Sequence, residues 1–411
     1  RNKNQRLQDG SDMNREHVEC CVRRIVALAC VAVCWLGLFE ADAGWLDEKW
    51  AYRAPITISS TASLSDYQVK VVVNASSGVM WSDFRDVRFT LGDGTTQLSY
   101  WMDRYVDGYS AVFWVRIPSL QAPSTTVYMY CGNPDATTTS SGANTFNVFE
   151  GFDDKTTGAN PVTGWSEVNT GDGDFKVIDC YRDGLSLKSG YLYQWSYGTC
   201  PTVRYRAYKG IGTLTGNFAW DFYALAPWND SKVLMELTDE ANSKLAVTLK
   251  FGENGQIGYY AAGWHNIMPY QTNTWYEFSI FNVNFATAKY DLAIRNGDST
   301  KVLTGLGFYQ TVTRITHMTL VGDCTYPGGA LYDDIRVRNY AGVDPTATVG
   351  ETCYRPVATV IYRGTNSATQ GHWKGVYGTD GYNVINNMTS GPSYAQVTAS
   401  GQSVYTWAAS T

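Results

Sequence analysis

The run MELTDE (residues 235–240) carries Glu236, Asp239 and Glu240, and paired carboxylates are the groups that glycoside hydrolysis uses. A retaining mechanism needs its two carboxyl groups about 5–5.5 Å apart across the scissile bond. Side chains alternate between the faces of a strand, so Glu236 and Asp239 point opposite ways, and Asp239-Glu240 reads as a turn. The run therefore reads as a solvated hairpin end. Tyr205 lies between Arg204 and Arg206 in VRYRAYK, the residue types of a lyase base and its charge neutraliser. Alternation sets this tyrosine opposite both arginines. His265, beside Trp264, and His317, in ITHMTL, read as hydrogen-bonded structural residues. Neither a Ser-His-Asp or Cys-His arrangement nor a glycine-rich phosphate loop is suggested, and no catalytic residue is assigned.

Aromatic side chains offer a different chemistry, because sugar C–H faces stack on rings while planar polar groups take the hydroxyls. Three loop-like stretches, APWND, GYYAAGWHN and MPYQTN, supply Trp228, Tyr260, Trp264 and Tyr270, with His265, Asn266 and Gln271 as polar partners. The competing reading of such rings is core packing, to which Trp101, Trp114, Trp220 and Trp275 are assigned. Of the nine cysteines, Cys131, Cys180, Cys200, Cys324 and Cys353 lie beyond the N-terminal leader. Sequence proximity favours the disulfides Cys180–Cys200 and Cys324–Cys353, leaving Cys131 as a buried thiol. There is no C-x-x-C, and the four histidines are scattered singly.

The elements that must hold these residues are strands. Apolar and polar residues alternate in YQVKVVV and AVFWVRI, and again in FAWDFYALA, KLAVTLKFG, WYEFSIFNV and KYDLAIRNG. Helix formers are scarce, so the expected fold is all-β: tandem β-sandwich and jelly-roll domains. The net charge of −6 is spread thinly over a chain with 17% charged residues, which argues against nucleic-acid partners. Met13 reads as the start. Arg23 and Arg24, the apolar run 25–39 and Ala41-Asp42-Ala43 together have the pattern of a secretory signal peptide cleaved after Ala43. The expected location is accordingly secreted or cell-surface, with no membrane insertion after cleavage.

The order of WAYRAPITI, RDVRFTLGDGTT, SYWMD and VYMYCGNP resembles the domain of unknown function 2341, a β-sandwich module of secreted multi-domain proteins. Cys131 stands where that family usually has an aromatic residue. The succession of TWYEFSI, YDLAIRNG and YDDIRVRNY is similar to the concanavalin A-like lectin/glucanase jelly roll. The tail, GTNSATQGHWKGVYGTDGYNVIN onward, resembles the opening of a galactose-binding-like bacterial β-sandwich module, which implies a chain truncated before its last strands. The expected layout is a leader to residue 43, a β-sandwich over 44–134, a linker over 135–145, a jelly roll over 146–350 and a partial module over 351–411. The jelly-roll resemblance implies a structural calcium ion between the first and last strands, with Glu150, Asp153, Asp154, Asp333 and Asp334 as ligands. It also implies non-catalytic binding of an extracellular or cell-surface polysaccharide. The alternatives are a structural or adhesive surface protein with spacer domains, and a polysaccharide hydrolase or lyase.

Overall fold

Alternation becomes two packed layers at the start of the chain. The computed structural model describes residues 44–355, apart from residue 77 and the stretches 169–170, 196–203 and 323–327, and scattered positions between 368 and 391. Its first six strands are β1 (Tyr52–Ser59), β2 (Leu64–Asn74), β3 (Arg88–Thr90), β4 (Tyr100–Val106), β5 (Ser110–Leu120) and β6 (Ser124–Cys131). Ala54, Ile56 and Ile58 of β1 face Val69, Val71 and Val73 of β2 and Phe113 and Val115 of β5 across one core. One layer holds β1, β6 and β3; the other is the antiparallel sheet β2-β5-β4. Cys131 closes β6 fully buried, and burial pushes its thiol up to about 12, so it acts as a small apolar side chain.

A short helix α1 (Gly142–Thr145), capped by the Ser141 side chain, occupies the end of the expected linker. Fifteen strands follow. In chain order they are β7 (Val148–Glu150), β8 (Ser166–Val168), β9 (Gly173–Arg182), β10 (Leu185–Gln194), β11 (Arg206–Leu214), β12 (Phe218–Leu225), β13 (Val233–Asp239) and β14 (Lys244–Phe251). Then come β15 (Gln256–Tyr260), β16 (Trp264–Pro269), β17 (Trp275–Asn284), β18 (Lys289–Asn296), β19 (Ser299–Gly307), β20 (Ile315–Gly322) and β21 (Gly328–Asn339). They form two antiparallel sheets, β19-β18-β17-β12-β21-β10-β9 with β7 beside β21, and β16-β15-β14-β13-β20-β11-β8. Between the sheets lie Trp220, Phe222, Phe251, Tyr276, Phe278 and Leu320. The Phe222 and Phe278 rings stack at 5.0 Å on neighbouring strands. The chain is thus all-β, with a sandwich followed by a jelly-roll lobe.

The end of the lobe departs from the expected boundary. Strands β22 (Thr346–Val349) and β23 (Cys353–Tyr354) return to the first sandwich and pair with β1, Ile56 opposite Val349 and Arg53 opposite Cys353. The jelly roll is therefore inserted into the sandwich. Residues 346–349, expected in the jelly roll, and 353–354, expected in the tail, complete its edge, because an unpaired β1 would leave a row of backbone donors and acceptors open. The Cys324 half of the expected Cys324–Cys353 bridge lies outside the described residues, as does Cys200. Cys180 is a free thiol, 3.2 Å from Ser189 Oγ. Residues 356–411 form a second unit, in which β24 (Tyr382–Val384) pairs antiparallel with β25 (Met388–Ser390). The leader and most of the tail lie outside the described residues.

The two lobes meet through the outer faces of β2-β5-β4 and β12-β21-β17. Trp101 and Trp114, expected in a core, cluster here with Phe146 and Phe149. Arg336, with no exposed surface, lies 5.4 Å from the Trp101 ring and 5.7 Å from that of Trp114, and its Nη2 donates to Glu277 at 2.8 Å. Arg338 donates to Asp221 and to Asp344, both at 2.9 Å. Burial opposes the charge on Asp221, but Arg338 and Arg336 outweigh it and hold the carboxyl below its usual range. The charged residues that alternate outward on β21 are accommodated because the other lobe brings rings and acids to meet them.

Candidate functional site

Strand β10 is SGYLYQ at its C-terminal end, and its alternation has two consequences. Gly190, Leu192 and Gln194 turn into the jelly-roll core and are buried, so Tyr191, Tyr193 and the following Trp195 face outward. Tyr191 and Tyr193 have ring centroids 6.0 Å apart, and Tyr193 and Trp195 also lie 6.0 Å apart. Trp228, on the β12–β13 connection, completes the strip at 5.9 Å from Tyr193. Trp195 and Trp228 are 40% and 41% exposed, an unusual state for large rings that the core would otherwise take.

The strip is held from below and from behind. Gly329 of β21 lies beneath it: a Cβ there would stand 3.2 Å from Trp228, 3.3 Å from Tyr191 and 2.7 Å from the Leu192 carbonyl oxygen. Only glycine lets the rings lie against this strand. The Trp228 loop is tied by Tyr270, whose hydroxyl donates to the Trp228 carbonyl at 2.7 Å, and by Ser231 Oγ, which donates to the same oxygen at 2.9 Å. Gly255 N donates to the Asn229 carbonyl at 2.8 Å. Opposite the rings in register on β9 stand Lys176 and Asp174, paired at 3.3 Å. Burial, with Tyr193 adding to it, pushes the Tyr191 hydroxyl up to about 12, so it stays a protonated donor at neutral pH. Aromatic faces flanked by hydroxyl, ammonium and carboxylate groups are the components of a sugar-stacking surface.

Of the residues expected to bind sugar, Trp228 alone belongs to this strip. Tyr260 and Trp264 face each other across the β15–β16 hairpin in the other sheet, with ring centroids 5.4 Å apart, and Tyr260 packs on Tyr309 at 4.3 Å. One face of Trp264 is covered by Lys250, whose Nζ lies 4.2 Å from the ring centre. His265 stacks on Tyr259 at 5.0 Å, and its Nε2 is 3.0 Å from the Ala261 carbonyl. Asn266 and Gln271 are exposed, and the Gln271 backbone N–H donates to Tyr276 Oη at 2.9 Å. Tyr270 is corrected from a ligand-facing ring to a buried one, 5% exposed and packed on Phe251, because its hydroxyl is used to fasten the Trp228 loop. Tyr191, Tyr193 and Trp195 were not singled out from the sequence. The signal was present in YLYQW, where every second residue is aromatic.

The strands that carry the acids expected to hold calcium do come together, since Glu150 of β7 stands opposite Ile335 of β21. Glu150, Asp153, Asp154 and Asp334 line one cleft of about 460 Å³, together with Lys155 and Lys209. These lysines take both Glu150 oxygens, at 2.9 and 3.0 Å, and Trp165 Nε1 donates to the carboxylate at 3.2 Å. Arg182 pairs with Asp333 at 2.7 Å and with Asp334. Asp153 accepts from the Lys188 N–H at 2.8 Å. Two ammonium groups and a guanidinium already supply the positive charge, and no cluster of three ligating side chains occurs among the described residues. The donor set does not fit a calcium ion. Burial, reinforced by Asp334, raises the Asp333 carboxyl well above its usual range.

The groups weighed for catalysis are also engaged. Asp239 pairs with Arg314 at 3.3 Å and Glu240 with Arg206 at 3.0 Å, while Glu236 lies buried on β13 between Thr248 and Thr319. Tyr205 is buried and donates to Glu167 at 2.7 Å, and burial with that carboxylate raises its hydroxyl far above the usual range. His317 lies 5.8 Å from the Tyr208 ring, with Nδ1 2.9 Å from Thr316 Oγ1.

A family described as "Domain of unknown function (DUF2341)" matches residues 83–168, from the turn before β3 through β8. That range overlaps the expected one over 83–134 and extends past it into the jelly-roll lobe. No curated protein matches the chain. Among solved structures the chain is similar to a protein titled "Sialidase", at 13% identity and a TM-score of 0.35, covering 68% of this chain and 23% of that one. It thus spans less than a quarter of the sialidase's length. It is also similar to alginate lyase Aly36B, at 10% identity and a TM-score of 0.29 over 47% of this chain and 96% of the other. A third likeness is to the tandem CBM22 domains of Paenibacillus barcinonensis Xyn10C, at 8% identity and a TM-score of 0.27, covering 72% and 80%.

Proposed function

We propose that the chain is a secreted, non-catalytic polysaccharide-binding protein whose jelly-roll lobe binds a glycan chain along Tyr191, Tyr193, Trp195 and Trp228. The observation that carries this reading is the strip itself: rings at intervals of about 6 Å, solvent-facing on one sheet and seated on a glycine. A row suits a polymer, since successive sugar units meet successive rings, and a loop fastened by Tyr270 is ordered before the ligand arrives. The extracellular setting rests on the leader pattern of residues 13–43.

Affinity electrophoresis of the full chain through gels containing neutral or acidic polysaccharides tests the reading. At least one polysaccharide is expected to retard the protein, Tyr193→Ala and Trp228→Ala to abolish most of the retardation, and Trp264→Ala to leave it unchanged. Absence of retardation on every polysaccharide, or equal retardation of Tyr193→Ala, overturns it and leaves the spacer or adhesive reading. Release of reducing ends or of ultraviolet-absorbing unsaturated sugars replaces it with an enzyme.

A further inference from the structure

A second cleft, of about 390 Å³, opens at the seam between the lobes, away from the aromatic strip. Its walls come from both: Lys70 of β2 and Trp114 of β5 on one side, β12, β17, β18 and the segment after β21 on the other. Three cations and three carboxylates line it, and every one of them except Lys70 is in an ion pair, Arg338 serving two acids. Asp221 is met by Arg338 at 2.9 Å, Glu277 by Arg295 at 3.3 Å, and Asp344 by Arg338 at 2.9 Å. Lys70 is partly buried and makes neither an ion pair nor a hydrogen bond among the described residues. Its nearest aromatic neighbour is Trp114, whose ring centre is 5.9 Å from Nζ.

From this arrangement we infer that the seam cleft binds the carboxylate of a sugar acid, with Lys70 as the cation that receives it. An ammonium withdrawn from water without a partner costs free energy, and an anionic ligand returns what the protein leaves out. Burial already pulls Lys70 below the usual lysine range, partly offset by the nearby Glu277 carboxylate. The remaining lining suits the rest of a sugar ring better than a simple inorganic anion. Trp114, Phe281 and Tyr340 offer apolar faces, and Thr300, Glu277 and Asp344 offer acceptors for hydroxyl groups. The volume accommodates one monosaccharide unit and lies at the low end of small-molecule sites. Because both lobes supply the walls, the site exists only where the jelly roll is docked on the sandwich.

Isothermal titration of the full chain with sodium galacturonate, galactose and a galacturonate trimer tests the inference. Galacturonate is expected to bind at least about tenfold more tightly than galactose, the worth of one charge-assisted hydrogen bond. Lys70→Met is expected to erase that difference while leaving the thermal melt in place. Should Lys70→Met fail to fold, Thr300→Trp, at an exposed position on β19, fills the cleft and is expected to block galacturonate. The trimer distinguishes a cleft that takes an internal unit of a polymer, shown by equal or tighter binding, from one that takes only the free acid. Equal affinity for galactose and galacturonate, no binding of galacturonate, or full binding by Thr300→Trp overturns the inference. Tyr193→Ala is expected to bind galacturonate as the unaltered chain does, so failure of the aromatic strip and failure of this cleft give different results.

Discussion

Tyr223 of β12 donates its hydroxyl proton to Asp103 of β4 at 3.1 Å, and this bond crosses from the jelly roll to the sandwich. Arg104 donates to the same phenol oxygen at 3.0 Å, and Arg182 lies over the Tyr223 ring at 4.0 Å. Burial works against the Asp103 charge, but Arg336 and Arg104 outweigh it and hold the carboxyl below its usual range. The seam is therefore a buried polar network in which each charge depends on the others.

Removing one cation from that network has a predictable cost. Arg336→Met keeps the approximate volume but leaves Asp221 and Glu277 short of a partner in a buried setting. Asp221 keeps Arg338 and Glu277 keeps Arg295, so we expect a loss of about 2–3 kcal/mol, below the usual penalty for an orphaned buried charge. Urea denaturation measures it; a change within about 0.5 kcal/mol would show that the pair is solvated.

Alkaline pH is expected to destabilise the fold through the thiols of Cys131, which is buried, and Cys180, which is partly buried. Burial pushes Cys131 up to about 12 and Cys180 up to about 11, from an ordinary 9.0. Below pH 9 both states keep these protons, so nothing is lost. Above 9 the unfolded chain releases them while the folded chain does not, and stability falls until the folded thiols ionise at about 11 and 12. Cys131 alone contributes a slope approaching about 1.4 kcal/mol per pH unit in that window. Cys131→Val is expected to make the fall of Tm between pH 9 and 12 shallower, the buried tyrosines supplying the remainder, which differential scanning calorimetry reads directly.

Gly329→Ala tests how the aromatic strip is seated. The new methyl would stand 2.7 Å from the Leu192 carbonyl oxygen, so β10 and β21 must move apart and carry Tyr191 and Trp228 with them. The expected stability cost is about 1–3 kcal/mol, that of overpacking, together with weaker retardation in polysaccharide gels. A variant with an unchanged melt and unchanged retardation would show that the rings tolerate displacement.

A chain ended at residue 341 is expected to lose stability in its N-terminal lobe, far away in sequence. It lacks β22 and β23, which pair with β1, and Asp344, which accepts from Tyr67 and Arg338. Hydrogen exchange on β1 amides checks this: faster exchange in the shortened chain is expected, and equal protection would mean that β1 does not need this edge.

Much of this molecule is written in alternation. Ile56 and Ile58, Val69 to Val73, and Phe278 and Ile280 declare their strands and their buried faces, because a period of two follows from local stereochemistry alone. The same rule set Glu236 and Asp239 apart and argued against a hydrolase. Alternation says which residues share a face; it does not say what will lie against that face. Trp101 and Trp114 were legible as buried, yet only docking of the second lobe made them the lid over Arg336. Tyr270 stood in a loop-like context and turned inward because its hydroxyl had a carbonyl to hold. Glu150 was legible as part of an acidic pair of strands, but Lys155 and Lys209 arrive from positions that no local pattern relates to it. By itself the sequence determined the strands, the all-β class and the stock of rings and charges. Tertiary structure decided which rings form a row, which acids already have cations, and that Lys70 lines a cleft without an ion pair of its own, because those outcomes depend on contacts between segments far apart in the chain.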